Sequence, residues 1–453
     1  METVEYHVRS AKFMADPHRP RPISSPRLRL TCEATNPGDP EGRELPFVVG
    51  VLADLTGSGA GEPLAGRRFV DIDGEHVDDA VAAFAPSVRL TVDDVISRDG
   101  TLLEIDLSFK RLADFEPPAI ARKVGSLRKL LEIRERRQEE LKAEERAVAP
   151  DAGSLLESVL DATTPGDGAA PVDWRRELQG ILSRHGPPSE ADLRVIDAAL
   201  SAQLNPILRA PEFRRLEGTW RGVAYLARRT GAREPVKIRL LNVSRRELHA
   251  DLSEAPDLDR SALYQRVRDA GFTSEAGEPL GLLVGDYEFS HHPEDVDLLY
   301  GLSFIASAFH CPFIAALSPA MFGLEHFHEL STIKGLERMF ESPTYVQWRS
   351  FRDSEESRFV TLALPRVLAR PPYGRESAPV EGFDLEETAG GAGRSTRTPV
   401  DSFCWMSAAY AVAARLADSF ARTGLCLAAR GVEGGGRVEA LAVSAFPSDD
   451  GES

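Results

Sequence analysis

The period of the hydrophobic positions changes several times along the chain. The run ELPFVVGVLADL, residues 44–55, is almost continuously apolar, the pattern of a strand buried on both faces, and RRFVDID predicts a second extended piece. Val77, Val81 and Phe84 recur at helical spacing, which predicts a helix capped by Asp73 and stopped by Pro86. SVRLTVDDVI and TLLEIDLSFK flank Arg98-Asp99-Gly100, and Asp-Gly supplies the positive φ angles of a tight turn, so a β-hairpin is expected. Pro117 and Pro118 open a long helix with Ile120, Val124, Leu127 and Leu131 on one stripe. Its second half, EIRERRQEELKAEERA, is charged nearly all round and is expected to project into solvent or along a partner.

Residues 148–175 form a Pro-, Gly- and Ala-rich linker holding one short amphipathic helix, GSLLESVLDATT, with Leu155, Leu156, Val159 and Leu160 on its apolar side. Two helices follow, ADLRVIDAALSAQLNPIL and PEFRRLEGTWRGVAYLARRT, the second with Phe213, Leu216, Trp220 and Val223 at helical spacing. The strand VKIRLLNV precedes Ser244, a helix cap. LGLLVGDYEF, PEDVDLLYGLSFIASAFH and CPFIAALSP then read as strand, helix and strand, a parallel βαβ unit. ETAGGAGRSTRT reads as a surface loop, FCWMSAAYAVAARLADSF as an apolar helix, and LCLAAR and RVEALAVSAF as strands. Ahead of all this, PRLRLTCEAT alternates Leu28, Leu30 and Cys32 with polar neighbours, which predicts one strand on a flexible arm. The expected organisation is an arm over 1–43, a mixed α/β domain over 44–147, the linker over 148–175, and a larger mixed α/β domain over 176–453.

Composition narrows the function. The chain has 453 residues, 54 Lys and Arg against 71 Asp and Glu, and a formal net charge of −17. Such a balance repels polyphosphate, and no concentrated basic face offsets it, so nucleic acid is not an expected partner. No apolar run approaches the roughly 18 residues of a bilayer span, and the N-terminus lacks the apolar stretch of a secretory signal, so no membrane insertion and a cytoplasmic location are expected. Cys32, Cys311, Cys404 and Cys426 are too scattered for a paired metal-ligand spacing and read as buried or incidental thiols.

The strongest enzyme-like cluster is GDYEFSHHPEDVD, which sets Asp286, Glu288, His291, His292, Glu294 and Asp295 at the C-terminal end of a parallel strand, the edge where such sheets bind ligands. A helix start explains most of it, with Pro293 at the first helical position and Glu294 and Asp295 against the positive end of the dipole. GLEHFHEL brings His326 and His328 between Glu325 and Glu329 without the HEXXH spacing of a zinc helix. RGVEGGGR lacks the Gly-Lys-Ser/Thr of a phosphate loop and reads as a flexible β-connection, while Trp220, Trp348 and Trp405 read as core anchors. No catalytic, cofactor-binding or metal-ligating residue is predicted.

The order of these segments resembles two proteins joined end to end. From about residue 27 to 147, ELPFVVGVLADLTG, RRFVDID, FAPSVRL and DFEPPAIARKVGSLRKLLEIRERR resemble the small subunit of the type VI secretion contractile sheath. From about residue 153, LSAQLNPILRAPEFRRLEGTWRGVAYLARRT, VKIRLLNVSRREL, PLGLLVGDYEFSHHPEDVDLLYGLSFIASAFHCPFIAALSP, ESPTYVQWRSFRDSEESRFVTLALPRVLARPPYG and ARGVEGGGRVEAL resemble its large subunit. The resemblance implies a structural protein, not an enzyme, with no cofactor. Two interlocked α/β domains build one protomer, and protomers stack into a cytosolic cylinder that contracts and drives an inner tube outward. It also implies contacts with the baseplate and with an ATP-driven unfoldase that recycles spent sheath by gripping the helix of Leu155, Leu156, Val159 and Leu160. The arm of Leu28, Leu30 and Cys32 is expected to donate a strand to a neighbouring protomer.

Large subunits continue past the point that matches AFPSDDG, so a separate chain supplying the missing acceptor strands is a further expected partner. An accessory homologue that caps sheath growth is the second reading, and an α/β enzyme or metal- or ligand-binding protein using the Asp286 to Asp295 edge is the third.

Overall fold

The computed structural model describes residues 7–9, 29–32, 43–59, 61–96, 101–147, 173–183, 189–230, 236–272, 278–387 and 403–424. Three short strands come first, β1 (His7–Arg9), β2 (Arg29–Cys32) and β3 (Arg43–Glu44), paired in the order β1-β2-β3. The single strand expected around Leu30 is therefore the middle of a small antiparallel sheet. The run PFVVGVLA becomes β4 (Phe47–Ala53), every residue of which is buried, as its unbroken apolar character requires.

After β5 (Val70–Ile72), helix α1 spans Val77–Phe84. Asp73 does not cap it. Its Oδ1 accepts from the backbone N–H of Glu75 and His76 at 2.9 and 2.8 Å, so the carboxylate closes the turn before the helix, and His76 holds the cap position. The helix ends at Ala85, whose φ of +46° reverses the chain just before Pro86. The expected hairpin is β6 (Ser87–Asp93) with β7 (Leu102–Ser108), in register from Ser87 opposite Ser108 to Asp93 opposite Leu102. Its tip, Arg98-Asp99-Gly100, lies outside the described residues.

The long helix predicted from Pro117 is two helices, α2 (Pro117–Lys123) and α3 (Gly125–Ala147), because Val124 turns extended at φ −89°, ψ 120°. Gly125, the poorest helix former after proline, follows that break. Ile120, Val124, Leu127 and Leu131 are all buried, as their stripe requires. The charged half of α3 packs further than its composition suggested: Arg134 is buried, and projection begins only after Gln138, with Glu139 and Glu140 exposed.

Helices α4 (Trp174–Ser183), α5 (Glu190–Arg209) and α6 (Pro211–Thr230) lead to β8 (Val236–Asn242). Then come α7 (Arg245–Glu254), with Ser244 and Glu247 closing a capping box, α8 (Ala262–Phe272), β9 (Leu280–Phe289), α9 (Pro293–Ala308) and β10 (Phe313–Leu317). The chain continues through α10 (Leu336–Phe340), α11 (Val346–Asp353), β11 (Val360–Ala363) and β12 (Val367–Leu368). Finally β13 (Trp405–Met406) precedes α12 (Ala408–Thr423). The apolar helix thus starts later than its composition suggested, because Trp405 and Met406 pair with β12 and the Ser407 side chain caps the helix by accepting from Ala409 N–H. Apart from Glu387, the stretch ETAGGAGRSTRT lies outside the described residues, as do LCLAAR and RVEALAVSAF.

The main sheet has the order β11-β10-β9-β4-β8-β5, with only β5 antiparallel. Alternation along β4 divides it between two cores. Val49, Val51 and Ala53 belong to the core that residues of α1 to α6 and α12 complete, while Val48 and Leu52 belong to the one completed by α7, α8, α9 and α11. Crossovers on the first face run from β4 to β8, and those on the second run the opposite way through β9, β10 and β11, as one handedness of connection demands.

Candidate functional site

Two places offered chemistry: the carboxyl edge of β9, and the seam where the N-terminal region enters the sheet of the C-terminal region. The edge does not converge. Asp286 is half-buried between α6 and α12 and accepts from Thr219 Oγ1 at 2.5 Å. Glu288 is forked by Arg366 at 2.5 and 2.7 Å. His291 is stacked on His292 at a centroid distance of 4.8 Å and lies tilted against Tyr345 at 4.5 Å, and burial holds its pKa below the ordinary imidazole value. Asp295 accepts from the N–H and hydroxyl of Ser290, both at 2.7 Å, and pairs with Arg245, so it ties the start of α9 to the end of β9. Pro293 is the first helical residue, as read from sequence. Among the described residues no group of three or more His, Cys, Asp or Glu side chains is placed to hold a metal. His326 and His328 stack on each other at 5.3 Å. Cys311 and Cys404 are buried free thiols, and burial pushes the pKa of both up. Beside Asp54, at the end of β4, a cavity of about 80 Å3 is lined by Ser58, Glu212 and Arg215.

Asp286 nevertheless has a measurable consequence. Burial pushes its pKa from 3.8 up to about 6, and the Thr219 hydrogen bond only partly opposes this. Tyr410 also faces this carboxylate, but its hydroxyl finds no partner of adequate geometry among the described residues, so Thr219 is the partner that counts. A raised acid pKa penalises the ionised folded state. Stability is therefore lost as pH rises from about 4 to about 6 and stays lower above that. We expect Asp286→Asn, which keeps an acceptor for Thr219, to raise stability above pH 7 by about 2–3 kcal/mol. It should also flatten the slope of stability against pH between 4 and 6, and denaturant titrations over that range that leave the slope unchanged would refute this account.

The seam is better built. β4 lies between β8 and β9, pairing with each in parallel, Val49 opposite Ile238 on one side and Leu282 on the other. At its carboxyl end Leu55 N–H donates to Asn242 Oδ1 at 2.8 Å, and Trp220 Nε1–H donates to Leu55 O at 3.0 Å. Arg67 forks Glu247 at 2.5 and 3.2 Å and donates to Asn242 O at 2.6 Å. Burial pushes the Glu247 carboxyl up, but Arg67 and Ser244 together hold it below its ordinary value. Away from the sheet, buried Arg134 of α3 forks buried Asp197 of α5 at 2.5 and 3.1 Å, and Arg137 donates to Ile181 O at 3.3 Å. The Gln203 amide accepts from Val95 N–H at 2.8 Å and donates to Asp93 O at 2.9 Å, fixing the hairpin to α5.

A strap over 367–387 closes the same core. Arg370 lies between Glu217 of α6, at 2.7 and 3.2 Å, and Glu387, at 2.7 and 3.3 Å, and stacks over Tyr373 at 4.0 Å. Burial pushes the Glu217 carboxyl up, yet Arg370 and Arg221 hold it below its ordinary value. A Cβ at Gly218 would stand 2.3 Å from the Trp405 carbonyl oxygen, so the backbone of β13 can rest on α6 only where this glycine is. Sequence reading missed this network. Its signal was Glu217, a carboxylate set beside the apolar stripe of Phe213, Leu216 and Trp220.

Of the other expected sites, Leu155, Leu156, Val159, Leu160 and Leu28 lie outside the described residues, and Leu30 and Cys32 fall within β2. Trp220 is fully buried, as expected of an anchor. None of the described helices is long and apolar enough to cross a membrane.

Comparison with known proteins covers both regions. The family model described as EvpB/VC_A0108, tail sheath N-terminal domain, matches residues 190–453, and that described as Type VI secretion system, VipA, VC_A0107 or Hcp2, matches residues 21–164. The type VI secretion system sheath protein TssC1 of Pseudomonas aeruginosa is 42% identical over 264 residues, 58% of this chain and 52% of that protein. TssB1 of the same organism is 41% identical over 113 residues, 24% of this chain and 64% of that protein. A chain of the VipA-N2/VipB contracted sheath of the type VI secretion system aligns at 24% identity over 28% of this chain and 93% of its own length, with a TM-score of 0.18. The chain thus spans about half of TssC1 and under two thirds of TssB1.

Proposed function

The chain belongs to the tail sheath family of the type VI secretion system, and from that premise we propose that it is a structural component of the contractile sheath, carrying small- and large-subunit regions in one polypeptide. The observation that carries this reading is the seam. β4, from the region similar to the small subunit, is the inner strand between β8 and β9 of the region similar to the large subunit, so the two regions make one folding unit. A protomer built this way is a rigid block whose partners are further copies of itself, an inner tube and a baseplate. It acts in the cytoplasm without catalysis. The stacked histidines and satisfied carboxylates around β9 support that part, since each has a structural task. Residues 1–43 make contacts between protomers, and the linker helix of Leu155, Leu156, Val159 and Leu160 is the handle for an ATP-driven unfoldase, since an apolar stripe on a short helix suits docking in a groove.

Electron microscopy of particles purified from cells producing the chain tests both parts. Sheath cylinders containing this polypeptide are expected, and recovery of the chain only as small particles would overturn the reading. With Leu156→Ala and Val159→Ala the cylinders should form as before but resist disassembly by the unfoldase. Two lost anchors are worth about 2–4 kcal/mol of binding if the partner buries both. Disassembly at the wild-type rate would remove the handle assignment alone.

A further inference from the structure

Residues 318–345, between the end of β10 and the start of α11, form a lobe at the carboxyl edge of the main sheet. It has a small core of its own. Leu317, Met321 and Tyr345 are buried there, Phe322, Met339 and Phe340 pack on them, and Trp348 and Leu362 join the cluster to the second core of the sheet. Phe340 lies 5.2 Å from the Tyr345 ring and 6.2 Å from that of Phe322, and the Tyr345 hydroxyl donates to Met321 O at 2.9 Å. Three buried apolar side chains stabilise far less than the large cores beside them, so local opening is easier here than in the sheet.

His291, just past the end of β9, meets this lobe from the side of the sheet. Its ring lies against Tyr345 at 4.5 Å and stacks on His292 at 4.8 Å. Nδ1 of His291 is buried and has no hydrogen-bond partner among the described residues. A neutral ring can leave that nitrogen bare, at the cost of one unmade acceptor. A protonated ring carries an N–H there with nothing to receive it, and the cost becomes that of a buried, unpaired charge.

The groups facing His291 do not relieve that cost. The loop after β9 presents His292, which on protonation sets a second cation against the first. The turn Pro343–Tyr345 presents the phenol of Tyr345, whose pKa burial pushes up, so it stays uncharged. The turn Pro319–Phe322 has no titratable side chain, and its backbone at Ala320 only partly favours the cation. The neighbouring carboxylates are engaged elsewhere: Glu288 with Arg366, Asp295 with Ser290 and Arg245, and Glu294 in the field of Arg245. Burial first and His292 second hold the His291 pKa below the ordinary 6.5.

We propose that neutral His291 latches this lobe to the sheet, and that its protonation in mild acid releases the lobe and uncovers Met321, Phe322, Met339 and Phe340. The latched ring binds its proton less readily than the released one. Latching is therefore at full strength above about pH 6.5 and is lost progressively as pH falls from there through the latched value. Asp286, on the same strand, works in the opposite direction, since its protonation on acidification favours the folded chain.

Hydrogen–deuterium exchange of the intact chain tests the latch, read as protection factors so that the pH dependence of exchange itself is removed. From about pH 6.5 down to about pH 5, opening of residues 318–345 should increase by up to about tenfold per pH unit, the limit for one proton taken up on release, while β4 and β9 stay protected. His291→Phe keeps a ring against Tyr345 but cannot take a proton, so its lobe should be equally protected across this range. If that variant fails to fold, His292→Gln decides, because without the facing cation the lobe should open less in acid than in wild type. Wild-type protection of the lobe that is independent of pH, or a loss shared equally by β4, would overturn the latch. So would a folded His291→Phe chain that opens as wild type does, or a His292→Gln chain indistinguishable from wild type.

Discussion

Expressed apart, residues 1–150 and 151–453 should each be insoluble or unfolded, and produced together they should return a soluble one-to-one complex. Every residue of β4 is buried, and both of its hydrogen-bonding edges are used by β8 and β9. Without the larger piece, β4 has neither partner. Without β4, β8 and β9 each expose an inner edge and the apolar groups that met Val48, Val49, Val51 and Leu52. In the intact chain the linker removes the second-order cost of finding a partner by raising the effective concentration toward millimolar. Two pieces that are each monomeric and cooperatively unfolding, and that do not bind one another in a titration, would disprove a shared core.

Glu217→Ala should lower the stability of the intact chain by about 3–5 kcal/mol, the usual cost of removing one partner from a buried ion pair. The loss leaves Arg370 with Glu387 alone and strips Arg221 of its 2.8 Å partner inside the core. The sign of its pH dependence is opposite to that at Asp286. The Glu217 pKa is depressed in the fold, so its contribution is present above the ordinary carboxylate range and disappears as pH falls through the folded value. Urea titrations should show the variant losing less stability than wild type on acidification, and equal losses would mean that Glu217 does not act through its charge.

Most elements of the fold were legible because their burial is one-dimensional. The runs that became β4, β9 and β10 are apolar enough to be recognised without knowing their neighbours, and the Ser244 cap sits where a local hydrogen bond decides the structure. Misreadings arose where a contact distant in sequence decided the outcome. Trp405 and Met406 look helical until β12 pairs with them, and Arg134 looks solvated until Asp197, 63 residues later, meets it. The break at Val124 belongs to the same class, since its apolar side chain fits the helical stripe either way. The seam itself was legible only through resemblance, because no local pattern tells which strands flank β4. The edge of Asp286 to Asp295 was legible as a charged cluster, but the side chains point to different neighbours.

Parallel pairing of β4 also imposes a timetable. Val49 pairs with Ile238 and Leu282, 189 and 233 residues later. At a synthesis rate of about 5–20 residues per second, β4 leaves the ribosome roughly 10 to 40 seconds before its first partner exists. For that interval a strand apolar on both faces has nothing native to pair with, and loop-closure entropy must be met before either edge is covered. Helices α1 to α6, which precede β8, can shelter the face of Val49, Val51 and Ala53, but the core of Val48 and Leu52 waits for α7, α8, α9 and α11, so the nascent chain is exposed to misassociation during translation rather than after release.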